Sequence, residues 1–198
     1  MAILLFNKWS TEGIKVEDAG LQRYIALHPI VLPKTGGRNV KTVFWKSKNH
    51  IVERLITKLM VPGHKGKKHK LTSGHCCGKG VAKYEVVKKC FELIEAKTKK
   101  NPIAVFVKAL ENAAPREEIT TIEYGGARYP KAVECGPQRR IDIALRMMVQ
   151  GAYSKSFNSK TSIETALADE IIKAYNLDTS SNAIAKKIEL ERQADASR

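Results

Sequence analysis

The sequence predicts a mostly α-helical bundle that carries one projecting β-hairpin arm and begins with an irregular basic N-terminal extension. Three observations carry that reading. From Asn49 onward, apolar residues recur at spacings of three and four, the period of a helix with one buried face. The period is interrupted once, by two short β-branched and aromatic runs flanking Gly125-Gly126, a pair able to adopt the positive φ angles of a two-residue hairpin turn. Residues 1–48 hold Pro29, Pro33 and Gly36-Gly37 and no sustained period, so they read as an arm of a kind that often orders on a partner. The expected division is an extension over 1–48 and a helical domain over 49–198, with the hairpin at about 116–135.

Each element has its own signals. Asn49 is a good cap for a first helix that turns Ile51, Val52, Leu55, Ile56, Leu59 and Met60 inward and His50, Glu53, Arg54 and Lys58 outward, with Pro62-Gly63 ending it. A Lys-, His- and Gly-rich loop follows to Gly80. Ala82 to Lys97 should be helical, with Tyr84, Val87, Phe91 and Ile94 as its buried stripe. Asn101-Pro102 caps and opens the next helix, which turns Ile103, Phe106 and Leu110 inward until Pro115 stops it. Beyond the hairpin, Gly136-Pro137 opens a helix to Gln150, with Ile141, Leu145 and Met148 on one face, Arg139, Asp142, Arg146 and Gln150 on another, and Gly151 as C-terminal cap. Thr161-Ser-Ile-Glu164 reads as a capping box before a helix burying Ile163, Leu167 and Ile171. Ser181 caps a last helix with Ile184 and Ile188 inward.

A two-residue turn at Gly125-Gly126 fixes the hairpin register: Tyr124 opposite Ala127, Glu123 opposite Arg128, Ile122 opposite Tyr129. Continued, the ladder sets Thr121 opposite Pro130, which has no donor, and Glu117 opposite Glu134, a like-charge pair. A bulge or fraying is therefore expected beyond Pro130. On these residues alone, an arm that docks on a large partner and an ordinary surface hairpin remain equal accounts.

Charge narrows the partner. The chain carries a formal +15 with a pI near 9.7, which suits a polyanion, while 43% hydrophobic residues exclude wholesale disorder. Residues 34–100 hold 18 Lys and Arg against 4 Asp and Glu, and residues 128–160 hold 7 against 2. The tail from Thr161 holds 5 against 7 and so faces solvent or protein rather than phosphate. Arg38, Lys41, Lys46, Lys48, His50 and Arg54, in the arm and at the first helix start, form one candidate phosphate-contact cluster, with a solvated charge run as the alternative. Phe44-Trp45 among them either stacks on bases or folds back on the core, and the second is slightly favoured. No window approaches the roughly 18 apolar residues of a membrane span, and Cys76, Cys77, Cys90 and Cys135 make no disulfide framework, so a reduced cytoplasmic setting is expected.

His64, His69, His75, Cys76 and Cys77 lie close in sequence but lack the paired spacing of a structural zinc site, and no metal or cofactor is expected. No phosphate-cradling glycine loop, metalloprotease signature or paired carboxylates appear, so catalysis is not expected. A DNA-binding helical protein is the alternative that helices and basic charge allow, though it leaves the Gly-Gly ribbon joined to Pro137-Gln-Arg-Arg140 unexplained.

Nine stretches, in order, resemble the small-subunit ribosomal protein seven family in its archaeal and eukaryotic branch. They are Lys8-Trp-Ser10, His50-Ile-Val-Glu-Arg-Leu55, Tyr84-Glu-Val-Val-Lys88, Asn101-Pro102, Glu111-Asn-Ala-Ala-Pro-Arg-Glu117, the tip from Gly125 to Pro130, Pro137-Gln-Arg-Arg140, Ala168-Asp-Glu-Ile-Ile172 and Glu189-Leu-Glu-Arg192. The resemblance implies a non-enzymatic constituent of the small ribosomal subunit. It implies binding to the 3′ major (head) domain of ribosomal RNA, contacts with other head proteins, and a hairpin near tRNA and mRNA at the exit site. By position, Tyr124, Gly125, Gly126, Ala127 and Arg128 match the family's tip, and Arg116, Lys131, Arg139, Arg140 and Arg146 match the hairpin base and following helix, where family members contact ribosomal RNA.

Overall fold

The computed structural model describes residues 3–38, 40–62 and 77–198. In chain order these form a short helix α1 (Ala19–Gln22), a 3-10 turn (Trp45–Lys48), and helices α2 (Ile51–Leu59), α3 (Gly80–Thr98) and α4 (Pro102–Ala113). The hairpin β1 (Glu117–Tyr124) and β2 (Ala127–Glu134) follows, then α5 (Pro137–Ser156), α6 (Ile163–Tyr175) and α7 (Asn182–Asp195). Helix α6 packs against α3, α4 and α5 and so lies at the centre, while α7 crosses α5 and the base of β1.

Helix α4 shows how sequence becomes core. The Asn101 side chain accepts from the Ile103 N–H, Pro102 occupies the first turn where no donor is needed, and Ile103, Phe106 and Leu110 are fully buried. Each such side chain stabilises the fold by about 1.5–3 kcal/mol on leaving water. In α3, Val87, Phe91 and Ile94 are buried as expected, joined by Cys90, whereas Tyr84 is half-buried at the edge.

The N-terminal extension contributes to the same core. Leu5, Phe6, Trp9, Leu21 and Ile25 belong to the same buried cluster as the helices' core residues. Phe6 sits among Trp9, Tyr84 and Phe91, with ring centroids 5.9, 4.8 and 6.2 Å away. Polar latches hold it there: Trp9 Nε1 donates to Glu95 at 3.0 Å, Lys8 pairs with Glu92 at 2.6 Å, and Asn101 Nδ2 donates to the Ser10 carbonyl at 2.8 Å.

Several helix ends differ from expectation. His50, not Asn49, caps α2, its Nδ1 accepting from the Val52 N–H at 3.2 Å. Ser162, not Thr161, caps α6 by accepting from Thr165 N at 3.3 Å. Ser181 occupies the cap position of α7, but its hydroxyl donates to buried Glu170 at 2.8 Å, and Glu170 accepts from the Ala183 N–H in its place. Helix α5 runs through Gly151 to Ser156, and that glycine serves close packing rather than a cap: an added Cβ would lie 2.8 Å from Asn182 Cβ and 3.0 Å from the Glu170 carboxyl carbon. Ile188 is 48% exposed rather than inward. Ile184 is buried as expected, and the buried side of α7 is Ala183, Ile184 and Ala194 with Lys187 and Glu191 half-buried beside it, where Lys187 donates to the Asn112 carbonyl and Glu191 accepts from Arg116 N.

The hairpin register matches the expected one at every pair from Tyr124–Ala127 to Glu117–Glu134, with both turn glycines at positive φ, 58° and 81°. The expected bulge is absent. In an antiparallel ladder hydrogen-bonded and non-hydrogen-bonded pairs alternate, so if Tyr124–Ala127 closes the turn, Thr121–Pro130 falls in a non-bonded pair and the missing N–H leaves no gap. The Glu117–Glu134 repulsion is relieved by Arg198, which donates to both Glu117 oxygens at 2.6 Å.

Candidate nucleic-acid interface

The basic arm is pinned to α2 by a carboxylate. Glu53 Oε1 accepts from both the Thr35 N–H at 2.8 Å and its hydroxyl at 2.7 Å, and the Ile51 N–H donates to the Ala26 carbonyl at 3.0 Å. The extension thereby covers the face of α2 that the sequence pattern left outward. His50 is fully buried, Arg54 is 5% exposed and Glu53 is buried, while Lys58 is half-buried.

At this seam Asp142 of α5 joins two cations, Lys46 Nζ at 3.0 Å and Arg54 Nη2 at 3.2 Å, and Arg54 also donates to the Tyr24 carbonyl at 3.1 Å. Burial pushes the Asp142 pKa up, but the Lys46 hydrogen bond and the charges of Arg54, Lys46 and Lys58 outweigh it and hold the carboxyl below its ordinary value. Arg54 is a buried girder between the extension, α2 and α5, and His50 is a neutral cap. Burial, aided by His28, lowers the His50 pKa to about 4.

The second seam lies at the hairpin base. Arg140 donates through Nε to the Pro115 carbonyl at 3.0 Å and through Nη2 to Asp18 at 2.7 Å, while Asp18 caps α1 by accepting from the Gly20 N–H at 2.9 Å. Burial raises the Asp18 pKa, yet the hydrogen bond and charge of Arg140 bring it below normal. Arg139 forms a two-pronged pair with Glu118 of β1 but keeps much of its side chain in solvent. These arginines fix the angle at which the ribbon leaves the bundle.

The remaining candidates are on the surface. Arg38, Lys41, Lys48, Arg116, Lys131 and Arg146 are exposed and belong to no ion pair among the described residues; Lys46 is exposed but shared with Asp142. At the tip, Gly125, Gly126 and Ala127 are open to solvent, Tyr124 is 82% exposed, and Arg128 approaches Glu123 at 3.5 Å. Phe44 is 68% exposed and Trp45 is half-buried; neither joins the core cluster, contrary to the favoured expectation. The His64 to Cys76 part of the His/Cys loop lies outside the described residues.

Two features were missed at the level of sequence. Ile122, Tyr124 and Tyr129 share one face of the ribbon and are all exposed, a pattern that the period-two register already contains. Lys58 and Arg146, on different helices, line the same cleft, and only tertiary packing brings them together.

The sequence that builds this surface is similar to known proteins along its whole length. The small ribosomal subunit protein uS7 of Nanoarchaeum equitans is 55% identical over 198 residues, covering the whole of both chains. That of Methanothermobacter thermautotrophicus is 47% identical over 192 residues, 96% of this chain and 97% of the relative. The family model described as ribosomal protein S7p/S5e matches residues 21–198. The chain belongs to the ribosomal protein S7p/S5e family.

Proposed function

We propose that the protein is a primary ribosomal-RNA-binding constituent of the small ribosomal subunit that organises the 3′ major (head) domain of the RNA. Membership of the family supplies the coarser part: a structural, non-enzymatic protein of the small subunit that works in translation with ribosomal RNA and other ribosomal proteins. The observation that carries the finer part is the sorting of charge. Asp18, Glu53, Glu118 and Asp142 are engaged by the protein's own donors, while Arg38, Lys41, Lys48, Arg116, Lys131 and Arg146 are left for phosphate. Such cations bind by releasing counterions and position a structured RNA through its backbone and shape.

In this reading Lys46 and Arg139 touch RNA while holding their carboxylates, and His50, Arg54 and Arg140 act by holding the surface in shape. The tip, Tyr124 to Arg128, reaches toward tRNA and mRNA at the exit site, anchored by the Arg139–Glu118 and Arg198–Glu117 pairs at its base. The test is binding to a 3′ major domain fragment against duplex DNA of equal length across a salt series. Preference for the RNA, with a slope that falls by about 0.7–0.9 for each of Arg116, Lys131 and Arg146 changed to Gln, supports the reading. Equal affinity for both nucleic acids overturns it in favour of a general nucleic-acid binder.

A further inference from the structure

The cleft between α2, α5 and the start of α7 has a volume of about 880 Å³ and does more than present charge. Trp45 forms part of its wall together with the apolar side chains of Val61 and Met147, and Lys58, Arg146 and Lys186 line it as well. Its carboxylate, Asp142, is already held by Lys46 and Arg54. Lys58 and Arg146 have no ion-pair partner among the described residues. Burial lowers the Lys58 pKa, and the charges of Arg146, Lys46 and Arg54 lower it further against Asp142 alone, so the cleft holds positive charge in excess. An aromatic wall beside unneutralised cations matches a flat ring with an open π face linked to phosphates. It does not match an A-form helix, whose stacked bases cannot enter, and an acidic peptide that lacks aromatic residues would leave the ring without a stacking partner.

We propose that this cleft accepts one unstacked nucleotide of the bound RNA, its base against Trp45 and its flanking phosphates on Lys58 and Arg146. The inference rests on the RNA-binding reading above and adds a base-capture site to it. The volume accommodates a nucleotide, within the range of about 300–1,000 Å³ typical of ligand pockets. Lys46, the residue after Trp45 in the 3-10 turn, pairs with Asp142 and so ties that turn to α5 beside the cleft.

The test uses the full chain and three probes: a single-stranded octaribonucleotide, the same length of abasic ribose-phosphate, and an RNA duplex. The octamer is expected to quench tryptophan emission saturably. Trp45→Ala should weaken octamer binding roughly 5–100-fold and abolish the quench, while leaving abasic binding within about twofold. Trp45→Phe should restore most of the affinity. Lys58→Gln with Arg146→Gln should weaken octamer and abasic binding alike. Circular dichroism confirms that each variant is folded; should Trp45→Ala not fold, the quench of the unaltered protein by octamer against abasic probe decides. Equal binding of octamer and abasic probe, or an octamer affinity unmoved in Trp45→Ala, overturns the proposal. Either result leaves the preference for ribosomal RNA over duplex DNA intact, so failure here is distinct from failure of the function proposed above.

Discussion

His50 makes the stability of the protein steeply dependent on pH below neutrality. Its ring is fully buried, its Nδ1 accepts from the Val52 N–H at 3.2 Å, its Nε2 has no partner among the described residues, and the His28 ring stands edge-on at a centroid distance of 5.5 Å. Burial, with the nearby His28 charge, brings its pKa from 6.5 to about 4. Because the folded value lies below the unfolded one, the unfolded chain binds this proton first. Stability is therefore intact above pH 6.5 and is lost as pH falls from 6.5 toward 4. Each pKa unit is worth about 1.4 kcal/mol, so the full loss comes to about 3 kcal/mol, a large share of a typical net stability of about 5–15 kcal/mol. Protonation also removes the acceptor that caps α2. The assay is urea unfolding at pH 7.0, 6.0, 5.0 and 4.5 on the natural protein and on His50→Asn, which retains a capping side chain without titrating in this range. The natural protein should be the more acid-sensitive by about 2–3 kcal/mol between pH 7 and 4.5. Parallel pH profiles, or an NMR titration placing His50 above pH 6, would refute the reasoning.

Other consequences can be checked by the same unfolding measurements. Asp142→Ala strands the 5%-exposed Arg54 without its carboxylate and should cost about 3–5 kcal/mol; a loss below about 1 kcal/mol would show that the junction is not a true buried pair. Gly151→Ala gains about 1 kcal/mol of helix propensity but drives a methyl to 2.8 Å from Asn182, so a net loss of about 1–2 kcal/mol is expected, and a net gain would mean that α7 moves aside freely. Pro130→Thr should leave amide exchange on both strands nearly unchanged because the position carries no ladder bond, whereas Gly126→Val, at φ 81°, should accelerate exchange across the tip.

What could be read from the residues was whatever local chemistry decides. Asn101-Pro102 and the stripe of Ile103, Phe106 and Leu110 define α4 without help from elsewhere, and Gly125-Gly126 defines the hairpin register down to Glu117–Glu134. Readings failed where a distant segment intervened. The polar face of α2 looks solvent-facing until Tyr24, Thr35 and Asp142 arrive to cover Glu53 and Arg54. Gly151 looks like a helix stop until Asn182 and Glu170 are seen to occupy the space that a side chain would need. For the candidate interface, basic composition picked out segments but not which of their cations face outward. Arg140 and Arg146 are six positions apart on one helix, yet one clamps Asp18 and the other opens onto the cleft.

The central claim is that this protein is held in the small ribosomal subunit through its RNA surface. Co-sedimentation of the chain with small subunits through a high-salt wash tests it directly. The account predicts one copy per subunit retained after the wash, with retention falling when Arg116, Lys131 and Arg146 are changed together to Gln. Complete loss of the natural protein in the wash, or retention that ignores those three residues, would contradict it.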